Sequence, residues 1–103
     1  MSELDAVVHP PARLQIMAVL AEVQEAEFAL LRQTTNVSDS VLSKHLAALG
    51  EAGYVKLRKA TAEGRLRTWA SITRPGRAAF AGHVAELRRL AGAAAVGERV
   101  HAG

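Results

Sequence analysis

The sequence contains no cysteine and few aromatic residues. Aromatic residues make up 4% of its 103 residues, whereas hydrophobic residues make up 50%. The absence of cysteine excludes disulfide bonds and thiolate metal ligands, and it is compatible with a reducing cytoplasm. With so few aromatic side chains, the core must consist of Leu, Val, Ile and Ala, a composition that favours closely packed helices.

Long apolar runs and targeting segments are also absent. No stretch approaches the roughly 20 apolar residues that a transmembrane helix needs. The N-terminus lacks a basic region followed by an apolar core, so no signal peptide is predicted. We therefore expect a cytoplasmic protein with a single domain over residues 1–103, for which dimerisation would add buried surface.

Recognisable catalytic and metal-binding motifs are missing as well. The sequence has no cysteine nucleophile, no glycine-rich phosphate loop and no grouping of Ser, His and Asp at a known spacing. The histidines, His9, His45, His83 and His101, are not spaced as metal ligands. We predict a protein that is not an enzyme and that has no metal site and no cofactor.

Positive charge is concentrated in the second half of the chain. Residues 1–53 carry three Lys or Arg against seven Asp or Glu, whereas residues 54–103 carry ten against three. The net charge is +3. Such a distribution predicts a polyanionic partner for the second half.

The first half of the chain has the pattern of three helices. An apolar pattern after two prolines predicts a helix from Pro11 to Glu22. Residues 23–26 are predicted to be a connection, and a short second helix is predicted from Glu27 to Gln33. The third helix, residues 38–52, follows a polar cluster that favours a turn.

The third predicted helix has marked ends and two different faces. Leu42, Leu46 and Leu49 recur at helical spacing and form one apolar stripe. Ser38 can cap the first turn, and Gly53 can adopt the left-handed conformation at the end. The opposite face has small polar side chains and one lysine. It suits either close approach to a base edge in a DNA groove or simple solvation.

Two alternating runs of apolar and polar side chains flank residues 62–65, which predicts a two-stranded hairpin over residues 55–72 in whose turn Gly64 can take a positive φ. Lys56 and Arg58 are two residues apart on the first strand, and Arg65 and Arg67 are two residues apart on the second. The two cations of each strand therefore point to the same side of that strand. One face of the hairpin is therefore predicted to be lined with positive charge. A last helix is predicted over residues 73–91, followed by a tail over residues 92–103 that is predicted to stay loose or to extend the helix weakly.

Three helices, a hairpin and a closing helix form a winged helix-turn-helix of the α+β class, mainly α. The stretch HPPARLQIMAVL resembles the first helix of bacterial winged-helix repressors of the ArsR and MarR groups. EFALLRQTTNVSDSVLSKHLAALGEAGYVKLRK is similar to their helix-turn-helix and wing, with LSKHLAALGEAGYV the most diagnostic part, and ITRPGRAAF resembles their strand-to-helix junction. Over residues 9–91, the chain most resembles small MarR-like DNA-binding domains.

This resemblance implies a transcription regulator, in these groups a repressor, that binds double-stranded DNA as a homodimer. The recognition helix, residues 38–52, would enter the major groove, and the wing, residues 55–72, would lie on the backbone or in the minor groove. The motifs of metal-sensing ArsR proteins are absent, and no residues indicate a small-molecule effector. The resemblance assigns DNA contact to these residues: Ser38, Asp39, Ser40, Ser43, Lys44, His45, Arg58, Lys59, Arg65 and Arg67.

Several of these side chains have alternative roles. Lys44 suits a phosphate or a guanine edge. Asp39 can cap the helix, orient Lys44 or accept from a cytosine amino group, and Ser38 can act only as a cap. His45 either touches DNA or packs beside the leucine stripe. Trp69 is expected to pack in the core or on the hairpin rather than to stack on a base.

The last helix carries an apolar stripe that predicts the dimer interface, formed by Phe80, Val84, Leu87 and Leu90. A homodimer would place two recognition helices in successive major grooves of a near-palindromic site, about 34 Å apart. The alternative function is a winged-helix module that binds proteins and has no specific DNA site.

Overall fold

The computed structural model describes residues 4–102, with side chains described through residue 93. It has four helices and a three-stranded antiparallel sheet. The predicted mainly helical winged helix-turn-helix is confirmed, and the first helix has the predicted bounds. The elements are α1 (Pro11–Glu22), β1 (Ala26–Glu27), α2 (Phe28–Thr35), α3 (Asp39–Glu51), β2 (Val55–Ala62), β3 (Arg65–Ile72) and α4 (Arg74–Ala102).

The sheet has one strand more than the sequence predicts. Ala26 and Glu27, expected in a connection and at the start of a helix, pair with Ala70 and Trp69 of β3. Strand β1 was missed because two residues are too few to show an alternating pattern. The sheet order is β1-β3-β2, so β1 covers only the base of β3.

Helix α4 extends beyond its predicted end near residue 91. The helix continues to Ala102, so the tail, predicted to stay loose or to extend the helix weakly, is helical up to that residue, while Gly103 lies outside the described residues. Gly92 and Gly97 lower helix propensity, but the alanines between them favour the helix. No helix within residues 4–102 has both the length and the apolar character required to cross a bilayer.

The core is aliphatic, as the composition predicts. Among the described residues, the buried hydrophobic side chains include no aromatic ring. The three leucines of the α3 stripe are buried against α1, α2 and the base of the sheet. The core residues are Val8, Ile16, Met17, Leu20, Ala26, Leu31, Leu42, Leu46, Leu49, Val55 and Ala70.

Strands β2 and β3 form a hairpin with a two-residue turn. Their register runs from Val55↔Ile72 to Ala62↔Arg65, which leaves Glu63 and Gly64 in the turn. Both turn residues have positive φ, 56° and 76°, as a type I′ turn requires. The predicted hairpin and its positive-φ glycine are confirmed.

The end of α3 lies directly against the start of α4. Gly53 has φ 79°, and the Tyr54 amide donates to the Leu49 carbonyl at 2.9 Å. Thr73 joins the two helices, because its amide donates to the Tyr54 carbonyl at 3.0 Å and its hydroxyl donates to the Gly53 carbonyl. A Cβ added at Gly76 would lie 2.9 Å from the Tyr54 Cα. The position of α4 is thus fixed relative to the end of α3.

The predicted stripe on α4 is divided between the protomer's own core and its surface. Phe80 packs against the core, whereas Leu90 is 38% exposed. The buried positions of this helix include His83 and Glu86. The molecule measures 64 × 25 × 21 Å, and a helix of 29 residues spans about 43 Å. Helix α4 therefore extends well beyond the globular part.

Candidate nucleic-acid interface

Helix α3 presents a narrow stripe of small side chains to solvent. Ser40, Ser43, Lys44 and Ala47 are all exposed, and their i, i+3, i+4, i+7 spacing places them on one face, away from the buried leucines. Lys44 is the cation of this stripe. Short side chains allow the helix backbone to approach a base edge closely, and Lys44 can reach a phosphate or a guanine.

Ser38 and Asp39 organise the first turn of α3. The Ser38 hydroxyl accepts from the Val41 amide at 3.3 Å, so Ser38 is the N-cap. Asp39 forms an exposed ion pair with Arg32 of α2, with Nη1 and Oδ1 3.1 Å apart. The Asp39 carboxylate also interacts favourably with the positive, N-terminal end of the helix dipole. The described partner of Asp39 is thus Arg32 rather than Lys44.

His45 lies on a different side of α3 from the exposed stripe. The Arg13 Nε donates to the His45 Nδ1 at 3.0 Å, and Arg13 also donates to the Val7 carbonyl at 3.1 Å. Burial, followed by the nearby Arg13 charge, lowers the pKa of His45. Of the two roles considered for His45, this geometry fits packing and positioning better than DNA contact.

The wing has two chemically different faces. Because cross-strand partners point to the same side, the register places Lys56, Arg58, Arg65 and Arg67 on one face, which we call the outer face. The predicted grouping of four cations on one face is therefore confirmed. The inner face continues the core through Val55 and Ala70.

Two of the four outer-face cations already have acidic partners. Arg58 donates through both its Nε and its Nη2 to the Glu25 carboxylate, each at 2.9 Å. The Arg58 guanidinium also stacks 4.6 Å above the centroid of the Trp69 ring. The hydrogen bonds from Arg58 lower the pKa of Glu25. Trp69 therefore packs on the hairpin, as expected.

Arg67 is the second paired cation. It lies 3.3 Å from a carboxylate oxygen of Glu27 and 3.4 Å from one of Glu63, and it is only partly exposed. These acidic partners were missed because their proximity depends on the two-residue strand β1 and on the turn. Their charge reduces the positive charge that Arg58 and Arg67 can offer to a polyanion.

A groove separates α3 from the wing, and we call it the α3–wing groove. Its smaller hollow, about 210 Å³, is lined by Ser43 and Ala47 of the exposed α3 stripe together with Lys59 and Thr68. The larger hollow, about 780 Å³, shares Ser43 and Thr68 and extends to Arg65 at the wing tip. Ser43 and Thr68 therefore connect the two hollows into one groove.

Apolar side chains also face this groove. Leu57, which is 43% exposed, lines the smaller hollow, and Leu66, which is 71% exposed, lines the larger one. The groove thus offers cations, hydroxyls and apolar groups side by side. The larger hollow also includes the carboxylates of Glu27 and Asp39, which are paired with Arg67 and Arg32. A sugar-phosphate strand presents the complementary chemistry, because its phosphates accept hydrogen bonds and its deoxyriboses are largely apolar.

The winged-helix fold and the similarity to known proteins support a DNA-binding transcription regulator. Residues 12–91 match the family model described as a winged helix DNA-binding domain. The chain belongs to this family. An uncharacterized protein of Methanocaldococcus jannaschii is 36% identical over 78 residues, which cover 76% of this chain and 85% of that protein.

Solved structures agree with this assignment. A transcriptional regulator homologue from Pyrococcus horikoshii OT3 has a TM-score of 0.78 and 26% identity, covering 84% of this chain and 86% of its own. A mutant of Lactococcus lactis ZitR in complex with DNA has a TM-score of 0.64 and 25% identity, covering 96% of this chain and 66% of its own. ZitR is described as a zinc-responsive MarR family member, so the chain resembles MarR-type regulators.

Zinc response is a property of that relative. Among the described residues of this chain, no group of three or more His, Cys, Asp or Glu side chains is placed to hold a metal ion.

Proposed function

We propose that the protein is a transcriptional repressor that binds a near-palindromic duplex as a homodimer. The observation that carries DNA contact is the continuity of the exposed α3 stripe with the α3–wing groove, through Ser43, Ala47 and Lys59. The stripe would enter the major groove, and the wing would lie on the adjacent backbone or in the minor groove. The repressor role rests on the resemblance to ArsR and MarR repressors.

In this arrangement the DNA strand that separates the major from the minor groove occupies the α3–wing groove. The hydroxyls of Ser43 and Thr68 and the ammonium group of Lys59 would bind its phosphates. Leu57 and Leu66 would contact its sugars. The outer face of the wing contributes less, because Arg58 and Arg67 are already bound to carboxylates.

The predicted DNA-contact residues therefore divide by role. Ser40, Ser43, Lys44, Lys59 and Arg65 are proposed to contact DNA directly. The others are proposed to support this surface: Ser38, Asp39, His45, Arg58 and Arg67.

The homodimer is proposed to form along α4. Leu90 is 38% exposed on its surface, while Val84 and Leu87 are partly buried within the protomer. Phe80, in contrast, supports the interface from within the core of each protomer. An extended helix with exposed apolar positions can bury them against a second copy.

The test compares two lysines on the same strand. Lys56 lies on the outer face and Lys59 on the inner face, and no ion pair involves either among the described residues. We expect Lys59→Ala to weaken binding of a fluorescent 30-base-pair duplex and to reduce the salt slope by about one, because one phosphate contact is lost. Lys56→Ala should leave both quantities nearly unchanged.

Equal losses in the two variants would show that the outer face at Lys56 contacts DNA as strongly as Lys59 does and would contradict the groove assignment. A flat salt response of the wild-type protein would contradict DNA binding through these cations altogether.

The second candidate function is a protein-binding module, and the exposed groove leucines Leu57 and Leu66 would serve it as apolar contacts. Selection from random duplexes distinguishes the two. Enrichment of one sequence supports the regulator, and failure to enrich any sequence supports the module.

A further inference from the structure

The N-terminal segment that precedes α1 is joined to two other elements through Asp5. Its carboxylate accepts hydrogen bonds from the amides of Val7 and Val8, at 2.8 and 3.3 Å, and from the Tyr54 hydroxyl at 2.6 Å. The Asp5 amide donates to the Nδ1 of His83 on α4 at 2.9 Å. Asp5 thus links the end of α3, where Tyr54 lies, to α4.

These contacts determine where the ring protons of two histidines lie. His83 is 1% exposed, and its Nδ1 accepts from Asp5, so a neutral His83 carries its proton on Nε2. That Nε2 lies 3.3 Å from the Nδ1 of His9, which must then accept. A second proton on the His9 Nδ1 would place two N–H groups against each other. A proton on the His83 Nδ1 would face the Asp5 amide in the same way.

A metal ion between the two histidines does not fit this arrangement. Two ring nitrogens 3.3 Å apart have the separation of two ligands of tetrahedral zinc, whose Zn–N bonds are about 2.0–2.1 Å. A metal on the His83 Nε2 would require a proton on its Nδ1. The Asp5 amide is itself a donor and already occupies that side.

The carboxylates near the histidine pair, those of Asp5 and Glu86, already have hydrogen-bond or ion-pair partners, which limits how much they can stabilise an added positive charge. The Asp5 carboxylate would attract an imidazolium, but three donors already occupy it. Burial alone would raise the pKa of Asp5, but the hydrogen bonds from Tyr54, Val7 and Val8, followed by attraction to a positive charge on His83, lower it overall, so the carboxylate is ionised near neutral pH. Glu86, also on the buried side of α4, is bound to Arg89 at 2.7 Å.

We propose that Asp5 is a positioning residue for DNA binding, because it holds the end of α3 against α4. We propose further that protonation of the His9–His83 pair releases Asp5 from His83. The proposal rests on the proposed function. In the dimer, α4 determines how far apart the two recognition helices lie. When Tyr54 is no longer held by Asp5, the end of α3 can move relative to α4, and a smaller fraction of molecules has recognition helices at the spacing that the DNA requires. Apparent affinity falls with that fraction.

The direction with pH follows from the proton positions. The hydrogen bonds from the Asp5 amide to His83 and from His83 to His9 require both histidines to be neutral. They are therefore complete at the higher pH and are lost as the pH falls. DNA affinity should therefore decrease as the pH falls, although a gain of positive charge by itself would increase it.

The first test uses the full chain without DNA. Long-range ¹H–¹⁵N NMR correlations should show the His83 proton on Nε2 near pH 8. Exchange protection of the Val7 and Val8 amides should fall as the pH is lowered to about 5.5. His83→Asn should retain that protection, because the asparagine oxygen can accept from Asp5 without titrating. A proton on Nδ1, or protection that does not depend on pH, would overturn the proposal.

The second test measures the affinity of the same chain for a fluorescent 30-base-pair duplex. Between about pH 8 and pH 5.5 the wild-type Kd should rise about fivefold, as expected for the loss of one hydrogen bond. In His83→Asn, the Kd should stay level or fall. Tyr54→Phe should weaken binding at pH 8 while retaining the far-UV spectrum, because it loses only the hydroxyl that contacts Asp5.

Identical pH profiles for the wild type and His83→Asn would overturn the positioning role. His9→Ala, at an exposed position, provides a second variant if His83→Asn fails to fold. Because it removes one of the two rings, it should reduce the pH dependence, and a profile identical to that of the wild type would overturn the role of the pair. Absence of DNA binding at every pH would refute the proposed function and the role of Asp5 in it. The NMR measurements would still decide whether protonation releases Asp5.

Discussion

At the scale of single residues, the partner of a side chain decides what it can contribute. Arg58 and Lys59 are adjacent cations of the same strand, yet Arg58 is held by Glu25 and stacked on Trp69, whereas Lys59 lines the α3–wing groove. Counting charges along the sequence treats these two residues as equivalent. Their surroundings in the fold make them different.

A glycine pair on α4 tests the contact between α3 and α4. We expect Gly76→Ala to lower the free energy of unfolding by about 2 kcal/mol or more, because the new Cβ would overlap the backbone of Tyr54. Gly82→Ala is the matched control. A Cβ there has no neighbour within 4 Å, so it should stabilise the helix by about 0.5–1 kcal/mol. Urea denaturation measures both, and equal effects would contradict the close contact.

At the scale of elements, the proposed function separates stability from recognition along α3. Its buried leucines and the Ser38 cap determine where the helix lies, whereas Ser43 and Lys44 are exposed on the opposite side. Ser40 is exposed there too, with its hydroxyl 3.2 Å from that of Ser38. The same division holds in the wing, whose base packs on the core and whose distal part borders the groove.

Two serines of α3 test this division. Ser38→Ala should lower the free energy of unfolding by about 1 kcal/mol, because the Val41 amide loses its acceptor. Ser43→Ala, at an exposed position, should leave stability within about 0.5 kcal/mol. It should reduce discrimination between an enriched duplex and a random one, measured by competition binding. A large stability loss in Ser43→Ala would contradict its assignment to the recognition surface.

The elements also show what a sequence can predict. The leucine stripe of α3, the prolines before α1 and the glycine turn of the hairpin are local signals, and these elements lie where they are predicted. Strand β1 and the pairing of Arg58 with Glu25 and of Arg67 with Glu27 depend on contacts between distant residues, so no local pattern reveals them. The position of Lys59 on the inner face follows from strand alternation, although total charge conceals it.

At the scale of the whole molecule, the shape is dominated by α4. In the proposed dimer, the globular part supplies the DNA-binding surface, and the helix that leaves it determines how two such surfaces are related. Asp5, Tyr54 and Gly76 all lie where these two parts meet. In that dimer, a change there would alter the spacing of the recognition helices without altering any residue proposed to touch DNA.

The dimer is tested by two leucine substitutions at similar exposure. Leu90 on α4 is 38% exposed and Leu30 on α2 is 46% exposed. We expect Leu90→Glu to shift the sedimentation coefficient at micromolar concentration from that of a dimer to that of a monomer, because a buried carboxylate is costly at an apolar interface. Leu30→Glu should remain a dimer. A wild-type monomer, or dimers in both variants, would contradict this interface.

The stacking of Arg58 on Trp69 has a practical consequence. The chain has one tryptophan, so its intrinsic fluorescence comes from a single indole whose environment includes a guanidinium 4.6 Å away. The emission therefore serves as a built-in optical reporter of the outer face of the wing. Emission that is unchanged on adding DNA would indicate that Arg58 stays bound to Glu25, whereas a spectral shift would indicate that the pair has opened.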